Sequence, residues 1–284
     1  SSFAFLVGIG GAPLVSINLG EKNTDAAKKV IANCFVYILA LAVPVTVLAY
    51  IFRRPILLTF GATEAVYPYA ETYFSLYLIG TVFALTATGM NQFIITQGHS
   101  RSGMFSVLIG AIINIVLDAV FVLGFHWGMY GAAAATVIGQ VISAIIAVCY
   151  LSHYRTVTLH SKHFRPNASH LAQICSLGMA SAINQVAMMI VQITMNNLLK
   201  HYGAQSVYGE SIPIACSGIV MKVNQLYFFV IIGLSQGSQP IQSFNYGAKQ
   251  YNRVKESYRL AITVGAIVSI VSFLLFQIFP RQIL

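Results

Sequence analysis

Long apolar runs, nearly free of charged residues and separated by short polar connections, dominate this sequence. Each run is about 20 residues long, the length of helix that crosses a hydrocarbon core of about 30 Å. Only 8% of the 284 residues are charged and the mean hydropathy is +0.75. Soluble domains carry about 25% charged residues, which they need to cover their surface. We therefore predict an all-α integral membrane protein whose helices cross the bilayer repeatedly.

About eight such segments are predicted. They are residues 1–18, 31–52, 73–95, 104–125, 131–152, 171–199, 206–234 and 260–279. The runs are long and lack the period of two that marks a transmembrane β-strand. Ser1 lies inside the first run and Leu284 directly follows the last. We interpret both ends as truncations, so that the first helix is incomplete.

Basic residues alternate between the connections, and the formal net charge is +9. Eleven Lys and Arg residues lie in the connections 19–30, 96–103, 153–170 and 247–259, whereas the intervening connections hold four. Cytoplasmic loops of membrane proteins are enriched in Lys and Arg. We therefore predict that these four connections are cytoplasmic and that the protein lies in the cytoplasmic membrane. Nucleic-acid binding is not expected, because it needs basic residues gathered on one exposed face.

The chain also repeats itself at an offset of 227 residues, where 10–57 align with 237–284 without a gap. The identities begin with the pairs Gly10/Gly237, Pro13/Pro240, Ser16/Ser243, Asn18/Asn245, Gly20/Gly247 and Lys22/Lys249. Equivalent segments are six crossings apart and run in the same direction, as in parallel repeats. The repeat predicts two parallel six-helix bundles in the complete protein, of which this chain holds about eight helices.

The predicted domain bounds follow from this repeat. Residues 1–152 form the N-terminal bundle, 153–170 a polar cytoplasmic linker, and 171–284 the truncated C-terminal bundle.

Several stretches carry a family resemblance. They are GIGGAPLVSINLGEKN, GMNQFIITQGHSRSGM, GAIINIVLDAVFV, GMYGAAAATVIGQ and GLSQGSQPIQSFNYGAKQYNRVK. They resemble the multidrug and toxic compound extrusion (MATE) family, and its MepA-like branch most of all. The resemblance runs from the family's second helix to its ninth of twelve. It implies an exporter of two six-helix lobes, not an enzyme, that exchanges drug-like molecules for H⁺ or Na⁺.

One acidic residue, Asp118, lies deep in an apolar segment, within INIVLDAVFV. An isolated carboxylate in lipid is costly, so such a residue faces a cavity or a partner. Burial favours the neutral form of a carboxyl group, which suits proton uptake and release. A carboxylate is also a suitable ligand for Na⁺. The alternative is a structural polar residue that is hydrogen-bonded inside the bundle.

Two further residues are expected near Asp118. Asn114 lies four positions earlier, on the same helical face. At ~1.5 Å per residue, Asp118 lies ~10 Å and Thr136 ~8 Å inside the outer ends of two consecutive helices. The family resemblance implies that Asn114, Asp118 and Thr136 form the cation-coupling site. H⁺ or Na⁺ is then the coupling ion, and no other cofactor is expected. A Thr that bonds only its own helix backbone is the alternative for Thr136.

A substrate cavity is predicted in the second half. Its candidate residues are Asn184, Gln185, Met188, Gln192, Lys222 and Gln225. Flexible Met beside scattered amides suits a pocket that accepts many shapes, and a Lys inside a membrane segment needs a cavity or a partner. The same polar groups also join membrane helices through hydrogen bonds, which is the alternative.

The sequence as a whole predicts a monomeric secondary antiporter that exports amphipathic, often cationic, organic compounds. Its expected partners are these compounds and membrane lipids. One alternative is a flippase for lipid-linked precursors, which would need a large cationic groove. The buried acid and the lack of a buried Arg in the first lobe disfavour it. A remoter alternative is an intramembrane enzyme, which would need paired carboxylates for Mg²⁺.

Overall fold

The computed structural model of the chain describes residues 2–60, 67–153, 161–164, 167–205, 209 and 211–278. Within these residues, the helices are α1 (Ser2–Gly20), α2 (Thr24–Ile51), α3 (Arg53–Thr59), α4 (Tyr67–Thr96), α5 (Ser100–Asp118), α6 (Gly128–His153), α7 (Ala168–Ala204), α8 (Ser211–Gly247) and α9 (Tyr251–Ile278). A π-helical turn, Ala119–Gly124, continues α5, and a 3-10 turn, Ser161–Phe164, precedes α7. The predicted all-α class is confirmed.

Seven helices of the described chain are long and apolar enough to cross a membrane. They are α2, α4, α5 with its π-helical turn, α6, α7, α8 and α9. The apolar helix Leu6–Gly20, within α1, is shorter. These eight helices correspond to the eight predicted segments. Parts of the prediction lie outside the described residues, namely residue 1 of the first segment, 154–160 and 165–166 of the linker, 206–208 and 210 of the seventh segment, and 279 of the eighth.

Two predicted connections are shorter than expected. The helices end at Gly20 and Gly247 and resume at Thr24 and Tyr251, so the connections 19–30 and 247–259 shrink to three-residue turns. Hydropathy marks only the stretch of a helix that lies in hydrocarbon, and the polar turns at its ends stay helical beyond it. Asn23 begins α2 as a helix cap, because its side-chain oxygen accepts from Ala26 N at 3.1 Å.

The chain forms two compact units, Ser1–Gln185 and Val186–Leu284, so the division falls inside α7. The core of the first unit lies where α1, α2, α4 and the start of α7 meet, and Ile31, Phe93 and Ile174 are fully buried there. The second unit contains the rest of α7 with α8 and α9, and α9 has no buried residue among those described. The predicted domain bounds stay a prediction.

The 227-residue repeat is visible in the bounds of the helices. Gly20 ends α1 and Gly247 ends α8, while α2 and α9 each span 28 residues from Thr24 and Tyr251. Each pair of positions differs by the predicted offset. The repeat inferred from scattered identities is therefore a repeat of the backbone as well.

The turns within the two repeats have the same hydrogen bonds. They are Asn23 N to Asn18 O at 2.8 Å, Gln250 N to Asn245 O at 2.8 Å, Lys22 N to Leu19 O at 3.1 Å and Lys249 N to Tyr246 O at 3.0 Å. This pair of bonds is the Schellman motif, which ends a helix with one residue in the left-handed conformation. That residue is Lys22 with φ 61° in the first turn and Lys249 with φ 58° in the second.

Candidate cation site

The site is positioned by a close crossing of α5 and α6 at Gly110 and Gly139. A methyl group on Gly139 would lie 2.7 Å from the Gly110 carbonyl oxygen and 3.1 Å from Cβ of Asn114. One turn away, Ser143 Oγ donates to the Ser106 carbonyl oxygen at 3.1 Å. Small residues allow membrane helices to approach closely and to hydrogen-bond across the interface. The crossing thereby holds Asn114 against α6.

Asn114 and Thr136 meet directly beyond this crossing. Asn114 Nδ2 donates to Thr136 Oγ1 at 3.4 Å, and the hydroxyl of Tyr73 on α4 lies 3.4 Å from the same oxygen. Thr136 Oγ1 donates to the Ala132 carbonyl oxygen at 2.9 Å, which leaves its lone pairs to accept from both neighbours. The structure thus brings together Asn114 and Thr136. The depth predicted as shared was that of Asp118 and Thr136, and no hydrogen bond among the described residues joins Asp118 Oδ1 to Thr136. Thr136 also bonds its own helix, but not that helix alone, and its role in cation coupling stays a prediction.

Asp118 lies one turn beyond Asn114 and is the last residue of α5. Its Oδ1 is buried and has no hydrogen-bond partner among the described residues. A buried acceptor without a donor is unfavourable, and more so when it carries charge. Arg101, in the first turn of α5, is the single Lys or Arg in α4, α5 and α6. The described contacts therefore join Asn114, Thr136 and Tyr73, and Asp118 is an acidic group one helical turn from Asn114 on α5. A carboxylate with neutral oxygen atoms nearby is a donor set that hard cations prefer.

The helix changes its winding immediately after Asp118. Ala119–Gly124 is π-helical, and Phe125 N donates to the Val120 carbonyl oxygen, five residues back, at 2.9 Å. Such turns are rare and occur frequently at functional sites. The turn brings the Phe121 ring to 5.1 Å from the ring of Trp127, just before α6 begins. No residue pattern in the sequence indicated this turn.

Two polar residues near the site were missed by sequence reasoning, Tyr73 and Gln140. Gln140 lies one turn from Thr136 along α6, and its buried Oε1 has no partner among the described residues. It faces α4, because a methyl group on Gly80 would lie 2.9 Å from this oxygen. The spacing of four residues from Thr136 could have identified Gln140. Tyr73 carried no such signal, since the rotation of α4 against α6 cannot be read from hydropathy.

The predicted substrate-cavity residues fall on both sides of the division inside α7. Asn184 and Gln185 belong to the first unit, whereas Met188, Gln192, Lys222 and Gln225 belong to the second. All except Gln185 are exposed. Gln192 Nε2 donates to Asn196 Oδ1 of its own helix at 3.2 Å, and the hydrogen bonds of the described residues join none of the six to another. Their common role stays a prediction.

Comparison with known proteins identifies the family. The MatE family model matches residues 1–120 and 180–284, which is most of the chain. The chain belongs to the MatE family. The match covers both units and includes Asn114 and Asp118, while Thr136 lies outside it.

Curated relatives are named as multidrug resistance and multidrug export proteins. The probable multidrug resistance protein YoeA of Bacillus subtilis (strain 168) is 24% identical over 291 residues, which cover 100% of this chain and 61% of the relative. The multidrug export protein MepA of Staphylococcus haemolyticus (strain JCSC1435) is 26% identical over 268 residues, which cover 94% of this chain and 58% of the relative. The expected likeness to MepA is confirmed. The chain spans about three fifths of the length of these relatives.

Solved MATE transporters share the fold. The MATE multidrug transporter DinF-BH is 32% identical, with a TM-score of 0.89 over 99% of this chain and 62% of that chain. A MATE protein in the bent conformation is 20% identical, with a TM-score of 0.88 and the same coverage. The chain therefore has the fold of a multi-pass membrane protein of the MatE family. An intramembrane enzyme is excluded by this membership.

Proposed function

We propose that the complete protein is an antiporter that exports amphipathic, often cationic, organic compounds in exchange for H⁺ or Na⁺. The observation that carries this proposal is the buried, unpartnered Oδ1 of Asp118 beside the contact of Asn114, Thr136 and Tyr73. The names of the relatives support drugs as the class of substrate.

The coupling follows from the cost of the buried carboxylate. A proton or Na⁺ that reaches Asp118 from outside removes the penalty of an unpartnered negative charge. Asn114 through its amide oxygen, and Thr136 and Tyr73 through their hydroxyl oxygens, supply neutral ligands near the arriving cation. The occupied site favours the conformation that releases the drug outward. Exchange requires that cation and drug prefer different conformations, because a ligand shifts an equilibrium only by its differential affinity.

The orientation in the cytoplasmic membrane follows from the distribution of charge. Residues 19–30, 96–103, 153–170 and 247–259 carry eleven of the sixteen Lys and Arg residues. We place these on the cytoplasmic side, in agreement with the bias of cytoplasmic loops toward Lys and Arg. Asp118, near the opposite end of α5, then lies within reach of the outer surface.

A flippase for lipid-linked precursors is less well supported by the first unit. A diphosphate needs several Lys or Arg residues along its groove, and α4, α5 and α6 contain only Arg101, at the end of α5 opposite Asp118. Arg53, in the first turn of α3, donates to Glu71 at 2.8 Å and is thereby neutralised.

The test is ethidium efflux from vesicles that contain the full-length protein, with a pH gradient and a Na⁺ gradient imposed separately. Whichever gradient drives efflux identifies the coupling ion. Asp118→Asn should lower gradient-driven efflux at least ~10-fold, which corresponds to about 1.4 kcal/mol. Glu256→Gln, an exposed acid on α9, is the matched control and should keep wild-type efflux. Full efflux by Asp118→Asn would show that the carboxylate does not couple transport.

A further inference from the structure

Four basic residues lie at the turn between α8 and α9 and in the first turns of α9. They are Lys249, Arg253, Lys255 and Arg259, and all four are exposed. None of them forms an ion pair among the described residues. An exposed and unpaired charge can bind a ligand without first breaking an internal contact. We call these four residues the α9 basic surface.

The equivalent turn of the first hairpin carries less positive charge. Residues 248–259 hold four basic residues and one acid, a formal charge of +3, whereas the equivalent residues 21–32 hold three basic residues and two acids, a formal charge of +1. In α2, alanine occupies the positions of Arg253 and Arg259. Since the two turns have the same backbone hydrogen bonds, the additional charge is not needed to form the turn. It therefore indicates a separate role.

The first hairpin also satisfies its polar groups within its own chain. Lys29 Nζ lies 3.0 Å from Asp25 Oδ2, and His163 Nε2 of the 3-10 turn lies 3.3 Å from the other carboxylate oxygen. Nearby, Asn167 N donates to Asn33 Oδ1 at 3.0 Å, so the end of the linker covers part of α2. The α9 basic surface has no such contact among the described residues and offers its charge to a ligand.

The depth of the α9 basic surface is that of lipid headgroups. The apolar run of α9 begins at Leu260, directly after Arg259, and continues without a charged residue to the end of the helix at Ile278. At ~1.5 Å per residue along the helix, Lys255 lies ~8 Å outside that boundary. Long basic side chains near helix ends extend so that their charge lies at the interface. The charges of this surface therefore meet lipid phosphate groups.

Three tyrosines accompany the basic residues. Tyr246, Tyr251 and Tyr258 are each more than half exposed, and the rings of Tyr246 and Tyr251 are 5.7 Å apart. Tyrosine is enriched at membrane–water interfaces, because its ring is apolar and its hydroxyl is polar. Positions 251, 255, 258 and 259 have helical spacing, so two of the tyrosines share a face of α9 with Lys255 and Arg259. This face combines aromatic anchors with positive charge.

An open cavity of about 360 Å³ lies at the turn itself. It is lined by Lys249, Gln250, Tyr251, Asn252 and Arg253. Two cations and two side-chain amides can therefore donate hydrogen bonds into it. Lys and Arg bind phosphate groups through charge-assisted hydrogen bonds, and Arg can donate two in parallel. The volume lies in the range of small-ligand sites.

We propose that the α9 basic surface binds an anionic phospholipid, whose phosphate group lies in the cavity between Lys249 and Arg253. Lys255 and Arg259 then contact the headgroups of neighbouring lipids. Charge selects this occupant, because a zwitterionic headgroup brings no net charge to neutralise the surface. The proposal rests on the cytoplasmic position proposed for residues 247–259, since the cytoplasmic leaflet carries the anionic lipids. It does not depend on cation exchange.

Lipid titration of the full-length protein in detergent tests this proposal. The midpoint of thermal unfolding is followed as short-chain phosphatidylglycerol or phosphatidylcholine is added, and its dependence on concentration gives an apparent affinity. We expect phosphatidylglycerol to raise the midpoint and phosphatidylcholine to leave it nearly unchanged. Equal shifts with the two lipids would overturn the proposal. An equal shift with inorganic phosphate would also overturn it, because the ligand would then be a soluble anion.

A pair of matched variants locates the site. Lys249→Gln with Lys255→Gln should weaken the apparent affinity for phosphatidylglycerol about 30-fold, since each basic residue near an anionic surface contributes about 5-fold. Lys22→Gln with Lys28→Gln removes the same number of charges at the equivalent positions of the first hairpin. This control should keep the wild-type affinity. Equal weakening by the two double variants would indicate a general effect of net charge and contradict a site on α9.

A second variant keeps the test decisive if the first does not fold. Arg253→Ala with Arg259→Ala gives α9 the residues that α2 has at these positions, and should also weaken the affinity about 30-fold. Wild-type affinity in this variant would contradict the proposal. The lipid titration needs no ion gradient, so its result holds whether or not a cation drives efflux. Conversely, a failure of Asp118→Asn to lower efflux would leave the lipid affinity unchanged.

Discussion

The α1–α2 and α8–α9 hairpins share their backbone and differ in their surroundings. Their helix bounds and turns coincide at an offset of 227 residues. Yet α2 buries nine residues, among them Asn33 and Tyr37, and α9 buries none of those described. Tertiary packing therefore does not set the shape of the hairpin. The left-handed Lys and the two backbone hydrogen bonds of the turn set it locally, and packing determines which side chains each copy carries.

Hydrogen bonds show the same contrast between the two units. In the first unit, polar side chains bond across elements, as in Asn114 to Thr136 and Tyr37 to Asn167. In the second unit, the polar side chains that the structure describes mostly bond within one helix. An exception is the contact of the Tyr227 hydroxyl with Ser269 Oγ, at 2.7 Å. The first unit is therefore the one in which a bound cation can change contacts between helices.

The largest expected difference between the hairpins is at their equivalent glycines. Gly10→Ala places a methyl group against the Ile174 carbonyl oxygen, and should destabilise the full-length protein by about 1–3 kcal/mol, as overpacking does. Gly237→Ala meets no described atom within 4 Å, and should be neutral or stabilising by up to about 1 kcal/mol, because Ala favours helix over Gly. Thermal unfolding in detergent measures both. Equal destabilisation would show that the two glycines have equivalent surroundings.

The contrast in hydrogen bonding is tested at two threonines. Thr136 and Thr263 each donate to the carbonyl oxygen four residues earlier, at 2.9 Å, but only Thr136 also contacts Asn114 and Tyr73. Thr136→Val should weaken the apparent affinity for the coupling cation about 10-fold, equivalent to about 1.4 kcal/mol. Thr263→Val should leave it unchanged. Efflux measured against the concentration of the driving ion gives this affinity, and equal effects would remove the distinction between the units.

A smaller effect is expected from the hydroxyl group that docks the linker. Tyr37→Phe removes the bonds to the Asn167 backbone and should cost about 1 kcal/mol of stability, the typical net value of a hydrogen bond. Tyr258→Phe, on the exposed face of α9, is the control and should change stability by less than about 0.5 kcal/mol. A Tyr37→Phe protein as stable as wild type would mean that the buried hydroxyl adds no net stability to the docking.

Periodicity and spacing predicted the parts of this molecule that depend on local sequence. The apolar runs gave the eight helices. The rise of ~1.5 Å per residue placed Asp118 and Thr136 at one depth, and the four-residue spacing placed Asn114 on the face of Asp118, in the region where Asn114 and Thr136 meet. The contact with Tyr73 could not be predicted, because it depends on the rotation of α4 against α6. The docking of Asn167 on α2 was also missed, because its donor and acceptor are the backbone N–H and carbonyl of Asn167 and carry no side-chain signal.

The smallest expected effect is at the left-handed Lys of the turn that the two hairpins share. Lys22 and Lys249 occupy the left-handed region, which costs free energy for any residue with a Cβ atom and little for Gly. Lys22→Gly and Lys249→Gly should therefore each stabilise the protein, by equal amounts of about 0.5–1 kcal/mol. This gain is smaller than the strain that is removed, because Gly also raises the conformational entropy of the unfolded chain. Thermal unfolding of both variants and of the double variant measures this, and the two gains should add, since the turns share no partner in the described structure. If only one variant gained stability, the two turns would not be equivalent, and the shared backbone would need contacts outside the hairpin to maintain it.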